Sequence, residues 1–118
     1  MLFAATTDPE RARKFYEEIL GLTFIADEPY ALAFQVGELP LRIQKVESKP
    51  EVNYTVLGWM VADIQQAVQE LSEAGVVFLR FDELEQDVDA IWQSPGGAKV
   101  AWFRDPDDNV LSLTEYPV

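Results

Sequence analysis

The 118-residue chain contains no histidine and no cysteine, so its chemistry rests on carboxylates, hydroxyls, amides, amines and aromatic rings. The usual general base near neutral pH, the commonest transition-metal ligand, thiolate nucleophiles and disulfides are all excluded. Ser48, Ser72, Ser94 and Ser112 have no imidazole to activate them. Gly96-Gly97 is a turn signal and not a phosphate-cradling loop. The acidic run from Asp82 to Asp89 lacks the glycine-containing spacing of a calcium loop and reads as a solvated loop. What remains is aromatic. Trp59, Trp92 and Trp102 are candidates for a ligand wall. Trp59 shares parity with Leu57 and Val61 and reads as core beneath a helix, which leaves Trp92 and Trp102 for a cavity. Tyr54 and Tyr116 could supply hydroxyls at its mouth.

Composition bounds the partners. Hydrophobic residues make up 48% of the chain, enough for one packed unit and too many for disorder. The net charge of −12, from 21 acidic and 9 basic residues, repels nucleic-acid phosphates and anionic lipid surfaces. It favours cationic ligands, or serves simply as a soluble surface. No run reaches the length of a membrane span, and no charged-then-apolar signal pattern opens the chain. The expectation is a cytoplasmic protein with neither nucleic acid nor membrane as partner.

The elements that must position these residues repeat. Met1 to Thr7 is short and apolar and suits a buried strand. Asp8-Pro9 then opens a helix, with Asp as N-cap and Pro in the first turn. Ala12, Phe15, Tyr16, Ile19 and Leu20 form its apolar stripe, and Gly21 closes it. Strands are predicted over Leu22–Ala26, Tyr30–Val36 and Leu41–Val46, separated by turns at residues 27–29 and 37–40. A polar connector covers 47–53. The order then starts again with a strand over Tyr54–Val61 and a helix capped by Asp63. Ile64, Ala67, Val68 and Leu71 form the stripe of that helix, and Gly75 ends it. Cap and closing glycine lie 13 positions apart in the first helix and 12 in the second. Val76–Phe81 and Ala90–Gln93 read as further strands. A hairpin follows, from Ala98–Arg104 to Val110–Tyr116, turning at Asp105-Pro106-Asp107-Asp108-Asn109. This is an internal duplication: one domain over 1–118, built from β-α-β-β-β modules at 1–48 and 54–118. The fold class is α+β, with curved mixed sheets, helices on the outer face, and a groove between the two inner faces for a small ligand.

Three stretches carry a resemblance to a known family. They are Asp8 to Leu22, with Phe15-Tyr16 and Leu20-Gly21-Leu22; Val61-Ala62-Asp63-Ile64 through Ala74-Gly75-Val76; and Phe103-Arg104-Asp105-Pro106-Asp107-Asp108-Asn109-Val110-Leu111. In this order they resemble the glyoxalase, bleomycin-resistance and extradiol dioxygenase superfamily, also called vicinal oxygen chelate, over nearly the whole chain. Asp108 departs from the pattern, because the family has glycine after Asp-Pro-Asp. Asn109 is then the candidate for the left-handed position.

The resemblance implies four inward stations where the family's metal enzymes hold a divalent cation. By register they fall at Met1, Gln44, Val56 and Ser112. Thioether, amide, isopropyl and hydroxyl stand where a cation wants carboxylate or imidazole. The expectation is no metal and no cofactor, with no catalytic residue assigned. Glu115, the only carboxylate near the last station, is expected to face solvent. With Val56 and Ser112 inward, alternation also turns Gly58, Met60, Val110 and Thr114 into the groove. Arg42 shares a face with Gln44. The two read either as a hydrogen-bonding pair for a carboxylate or carbonyl, or as a surface arginine beside an edge glutamine. The ligand-binding set is therefore Arg42, Gln44, Val56, Met60, Trp92, Trp102, Ser112 and Thr114. The implied function is metal-independent binding of a small organic ligand by a homodimer. The alternatives are a lyase, isomerase or dioxygenase of the same superfamily with an atypical metal or acid–base site, and an interaction module whose cup is packed core.

Overall fold

Both helices begin on an aspartate. Asp8 Oδ1 accepts from the Arg11 amide at 3.3 Å, and Asp63 Oδ1 accepts from the Gln66 amide at 3.1 Å. Each satisfies a donor that a helix N-terminus leaves open. In this computed structural model, which describes residues 1–48 and 54–117, these caps start α1 (Pro9–Lys14) and α2 (Ile64–Glu73). The first helix widens into a π turn over Phe15–Ile19 and ends at Gly21, whose φ is 73°. Most of the predicted connector, residues 49–53, lies outside the described residues, as does Val118. No helix among the described residues is long and apolar enough to cross a membrane.

The duplication is visible in the topology. The first sheet contains β1 (Leu2–Thr6), β2 (Thr23–Asp27), β3 (Ala31–Val36) and β4 (Leu39–Lys45), in the order β1-β4-β3-β2. The second contains β5 (Thr55–Met60), β6 (Trp92–Gln93), β7 (Lys99–Arg104) and β8 (Val110–Glu115), in the matching order β5-β8-β7-β6. In each, the outer strand preceding the helix runs parallel to its neighbour, and the other pairings are antiparallel.

Alternation gives each sheet two faces. Leu32, Phe34, Leu41 and Ile43 of the first sheet, and Leu57, Ala101, Phe103, Leu111 and Leu113 of the second, are buried in one core with Ala12, Phe15, Tyr16, Ile64 and Val68 of the helical segments. Burying a side chain of this size contributes about 1.5–3 kcal/mol. The core is continuous between the halves, because the Phe15 ring lies 6.3 Å from that of Phe103. Trp59 meets Phe103 edge to face at 6.2 Å, in the core as expected.

One part of the second half differs from the sequence reading. Val76–Phe81 and Ala90–Gln93 are not two separate strands. Phe78 bridges Phe103 and the Leu79 amide donates to the Trp102 carbonyl at 2.8 Å, while Trp92 and Gln93 pair with Val100 and Lys99. Both pieces run along the same edge of β7. They are the two ends of one edge strand, and residues 80–91 make an excursion between them from which Gln86 bridges back to Trp92.

The turn between β7 and β8 locks the two halves together. The buried Asp105 carboxylate accepts from the Tyr16 hydroxyl at 2.6 Å, the Asn109 side chain at 2.7 Å, and the Asp107 and Asn109 amides at 2.9 Å each. Asn109 also donates to the Ala5 carbonyl at 2.8 Å. Asp107 accepts from the hydroxyls of Thr6 and Thr7 at 2.5 and 2.9 Å, and from the Thr7 amide at 2.8 Å. The left-handed residue of the turn is Asp108, at φ 62°, and not Asn109 as expected. Asn109 is occupied by its side-chain bonds, and a short polar side chain tolerates the conformation at 108. Burial raises the Asp105 carboxyl above its ordinary value, and its hydrogen bonds offset part of that rise. Burial, and then the neighbouring Asp105 charge, hold the Tyr16 hydroxyl well above its ordinary value of 10.0.

The unfolded chain releases the Tyr16 proton near pH 10.0, while the folded chain keeps it to higher pH. Stability from this tyrosine is therefore complete below that value and lost as pH rises through the folded one. Tyr16→Phe should lower stability by about 1.5–3 kcal/mol at neutral pH, since a hydrogen bond to a charged group is removed. It should also make the alkaline fall in stability shallower. Urea unfolding across the alkaline range checks both expectations. A second prediction concerns Gly58, which faces Ser112 across the β5–β8 pair. A Cβ at 58 would run into the Ser112 hydroxyl. Gly58→Val should cost about 1–3 kcal/mol by overpacking, and less when Ser112→Ala is present, in a double-mutant cycle on urea unfolding.

Candidate functional site

The faces turned away from the helices are where a ligand could lie. On the second sheet, strand pairing sets two rows across that inner face. One runs Gly58, Ser112, Trp102; the other runs Met60, Thr114, Val100, Trp92. Five of the eight predicted residues, Met60, Trp92, Trp102, Ser112 and Thr114, therefore share this face. On the first sheet the rows are Phe3, Arg42, Ala33 and Ala5, Gln44, Ala31. Arg42 and Gln44 do share a face, but Arg42 Nη2 lies 2.7 Å from Glu28 Oε1. Its guanidinium already has a carboxylate partner. The pair is partly exposed, so it holds loosely, at about 0–1 kcal/mol.

Val56 is placed differently from the expectation. The β5–β8 register shifts between Thr55 and Leu57, so Val56 has no cross-strand partner and packs against the core. The pairings Leu2–Leu41 and Leu57–Leu111 also make Arg42 the counterpart of Ser112, and Gln44 that of Thr114. Gln44 and Ser112 thus do not occupy equivalent stations in the two halves.

The inner-face donors on the four strands that would hold a divalent ion are poor ones. Phe3 and Ala5, Arg42 and Gln44, Gly58 and Met60, and Ser112 and Thr114 include neither carboxylate nor imidazole, and one is itself a cation. This set does not fit a divalent metal, which needs charged or strongly basic ligands to replace its water. Among the described residues no three Asp, Glu, His or Cys side chains converge elsewhere. Glu115 does not face solvent as expected. It is half-buried and its Oε1 accepts from the Ile64 amide at 3.0 Å. The open donors and positive end of α2 draw it to the helix side.

An open recess on the inner side of the second sheet has a volume near 300 Å³ and is lined by Tyr54, Thr55, Phe81, Glu83, Leu84, Trp102 and Val110. Trp102 is its half-buried aromatic floor. Phe81 meets Trp102 at 5.4 Å with the ring planes 88° apart, and Trp92 lies 6.0 Å from Trp102 at 35°. A larger depression of about 650 Å³ runs along the outer face of α1, but its lining, from Asp8 to Glu18, consists only of charged side chains. It has no apolar wall for an organic ligand.

The wall opposite Trp102 comes from the 80–91 excursion, which the acidic composition had marked only as a solvated loop. Gln86 organises it. Its side chain accepts from the Phe81 amide at 2.7 Å and donates to the Leu79 and Ala90 carbonyls at 2.9 and 2.8 Å. Asp87 Oδ1 accepts from the Asp89 and Ile91 amides, and Arg80 donates to the Asp87 and Val88 carbonyls. Ala90 turns back toward the sheet at φ 62°. The loop so held carries Phe81 and Leu84 over Trp102. Sequence reasoning missed Phe81, Glu83 and Leu84 as site residues. The available signal was Phe81 and Leu84, apolar side chains three positions apart at the start of an otherwise mostly acidic run.

Comparison with known proteins followed the same lines. A search of curated proteins finds no match. Among solved structures, a putative glyoxalase family protein from Bacillus anthracis superposes with a TM-score of 0.77 at 19% identity, covering 98% of this chain and 92% of that one. A member of the glyoxalase/bleomycin resistance protein/dioxygenase superfamily from Sphaerobacter thermophilus gives 0.74 at 23% identity, with 98% and 95% covered. TioX from Micromonospora sp. ML1 gives 0.75 at 16% identity, with 98% and 96% covered. At these identities the likeness shows the fold. The sequence pattern of the family itself matches residues 1–113, taking in both sheets, both capped helices and the Asp105 turn. The chain therefore belongs to the glyoxalase/bleomycin resistance protein/dioxygenase superfamily.

Proposed function

We propose that this protein binds a small organic ligand against Trp102, without a metal, in the groove beside the inner face of the second sheet. The observation that carries this reading is the aromatic corner made by Phe81 and Trp102 and flanked by Trp92. A recess near 300 Å³ with these walls is at the small end of ligand sites. Ser112 and Thr114 stand in the rows beside the tryptophans and would supply hydroxyls to orient a polar edge. Arg42 and Gln44 lie on the other sheet, where a longer ligand could reach them by displacing Glu28. The donor set gives no support to a metal-dependent lyase, isomerase or dioxygenase reaction. The rival enzyme reading would need acid–base work by a Glu and a Tyr alone, for which the recess offers Glu83 and Tyr54, both exposed.

We also propose that two copies pair. Met1, Phe3 and Met60, on or next to the neighbouring strands β1 and β5, leave large apolar side chains exposed. Large apolar side chains exposed to this degree are better covered than left in water.

Calorimetric titration with quinoxaline, a neutral flat bicycle, tests the site. We expect saturable binding that weakens at least about tenfold in Trp102→Leu, a change of about 1.4 kcal/mol, and that survives in Trp59→Phe. Unsaturable heats in the wild type would end the reading. Elemental analysis of protein purified without chelator should find far less than one divalent ion per chain. A stoichiometric metal would favour the enzyme reading instead.

A further inference from the structure

We infer that the head group this recess selects is an alkylated ammonium, a rounded organic cation and not merely a flat neutral ring. The inference rests on the proposed site and names the class of ligand it takes. Two rings meeting at 88° form a corner, and a compact group placed there touches the face of each. A flat molecule can lie against only one of them. Tyr54 lines a third side, and Glu83 puts an exposed carboxylate on the rim. Among the described residues no lysine or arginine lines the recess. Arg104, in the adjoining row with Val110, donates instead to the Asp108 carbonyl at 2.9 Å.

The chemistry of such a box is selective. Ring faces carry negative potential and attract the diffuse positive charge of N-methyl groups, and this attraction grows when water is partly excluded. A primary ammonium would lose strongly held water, and the lining offers few acceptors in return. Among the described residues, the neutral polar side-chain groups there are the hydroxyls of Tyr54 and Thr55 and the indole N–H of Trp102, which can only donate. A carboxylate or phosphate would meet Glu83 and a chain of net charge −12. Long-range field and local walls therefore favour the same ligand, a cation that needs aromatic faces more than hydrogen bonds.

The test compares choline chloride with 3,3-dimethyl-1-butanol, which has the same shape and no charge, by calorimetry or by chemical-shift titration of the tryptophan indoles. Choline should bind about tenfold tighter than the alcohol. Phe81→Leu should reduce that preference at least about threefold. Glu83→Gln, at an exposed position, should weaken choline about threefold at low salt and leave the alcohol unchanged. If the alcohol binds as tightly as choline while quinoxaline still binds, the cation proposal is overturned and the groove reading stands. If choline is preferred but neither variant alters the preference, the cation lies elsewhere and the proposal fails. If neither choline nor quinoxaline binds, both readings fall together.

Discussion

A carboxylate held almost out of water ties the two halves of this chain together. Asp105 sits in the turn between β7 and β8, and its partners include Tyr16 at the end of the first helix and Asn109, which reaches back to β1. An unpaired ion at such a depth would cost several kcal/mol. With its donors in place it instead fixes where the hairpin sits relative to the first half, because few other arrangements satisfy it. That hairpin carries Trp102 on one strand and Ser112 on the other. The inner face of the second sheet is thus positioned by contacts made on the opposite side of the hairpin, and by residues of the other module. Asp107 adds to this through Thr6 and Thr7.

The face so positioned has lost the usual means of holding a cation by coordination. Aromatic rings, hydroxyls and one half-neutralised guanidinium stand where carboxylates or imidazoles would be needed. On the proposed reading, binding there would depend on shape, ring faces and the field of the whole chain. The 80–91 excursion makes this workable, because without it Trp102 would be an exposed ring on an open sheet. The amide of Gln86 substitutes for the missing strand ladder by closing bonds to the backbone at both ends of the loop. A loop rich in carboxylates would otherwise repel itself away from the surface.

Much of the architecture was legible before any coordinates. Asp8 and Asp63 declare the helix starts because capping is local and uses few residue types. The second appearance of the same order of elements declared the duplication, and Asp105-Pro106-Asp107 declared the hairpin. Ser112 follows from the family resemblance and Thr114 from parity with it, whereas Trp92 and Trp102 stand out in the sequence only as large rings, and strand pairing is what puts them in the same rows. What failed depended on non-local events. The register shift at Val56 is set by pairing with β8, which parity along a single strand does not contain. Glu115 was drawn to the N-terminus of α2, a neighbour only in three dimensions. The two pieces of edge strand looked like separate strands because the 12-residue excursion between them has no periodicity of its own. Asp108 took the left-handed conformation because the side chain of Asn109 was committed to Ala5 and Asp105.

The same excursion bears on how copies of the chain can meet. A sheet normally ends in a row of free amide and carbonyl groups that invites another chain to add itself. Here one border is broken into two short lengths, with β6 only two residues long. The corresponding edge of the first sheet, β2, has an irregular register between Phe24 and Ala26 and ends on Asp27, whose carboxylate holds Lys45. Neither margin offers a long flat template for lateral growth. Extension of the ladder is discouraged at these two edges, and the edges β1 and β5 are the ones where another chain would find a longer regular strand.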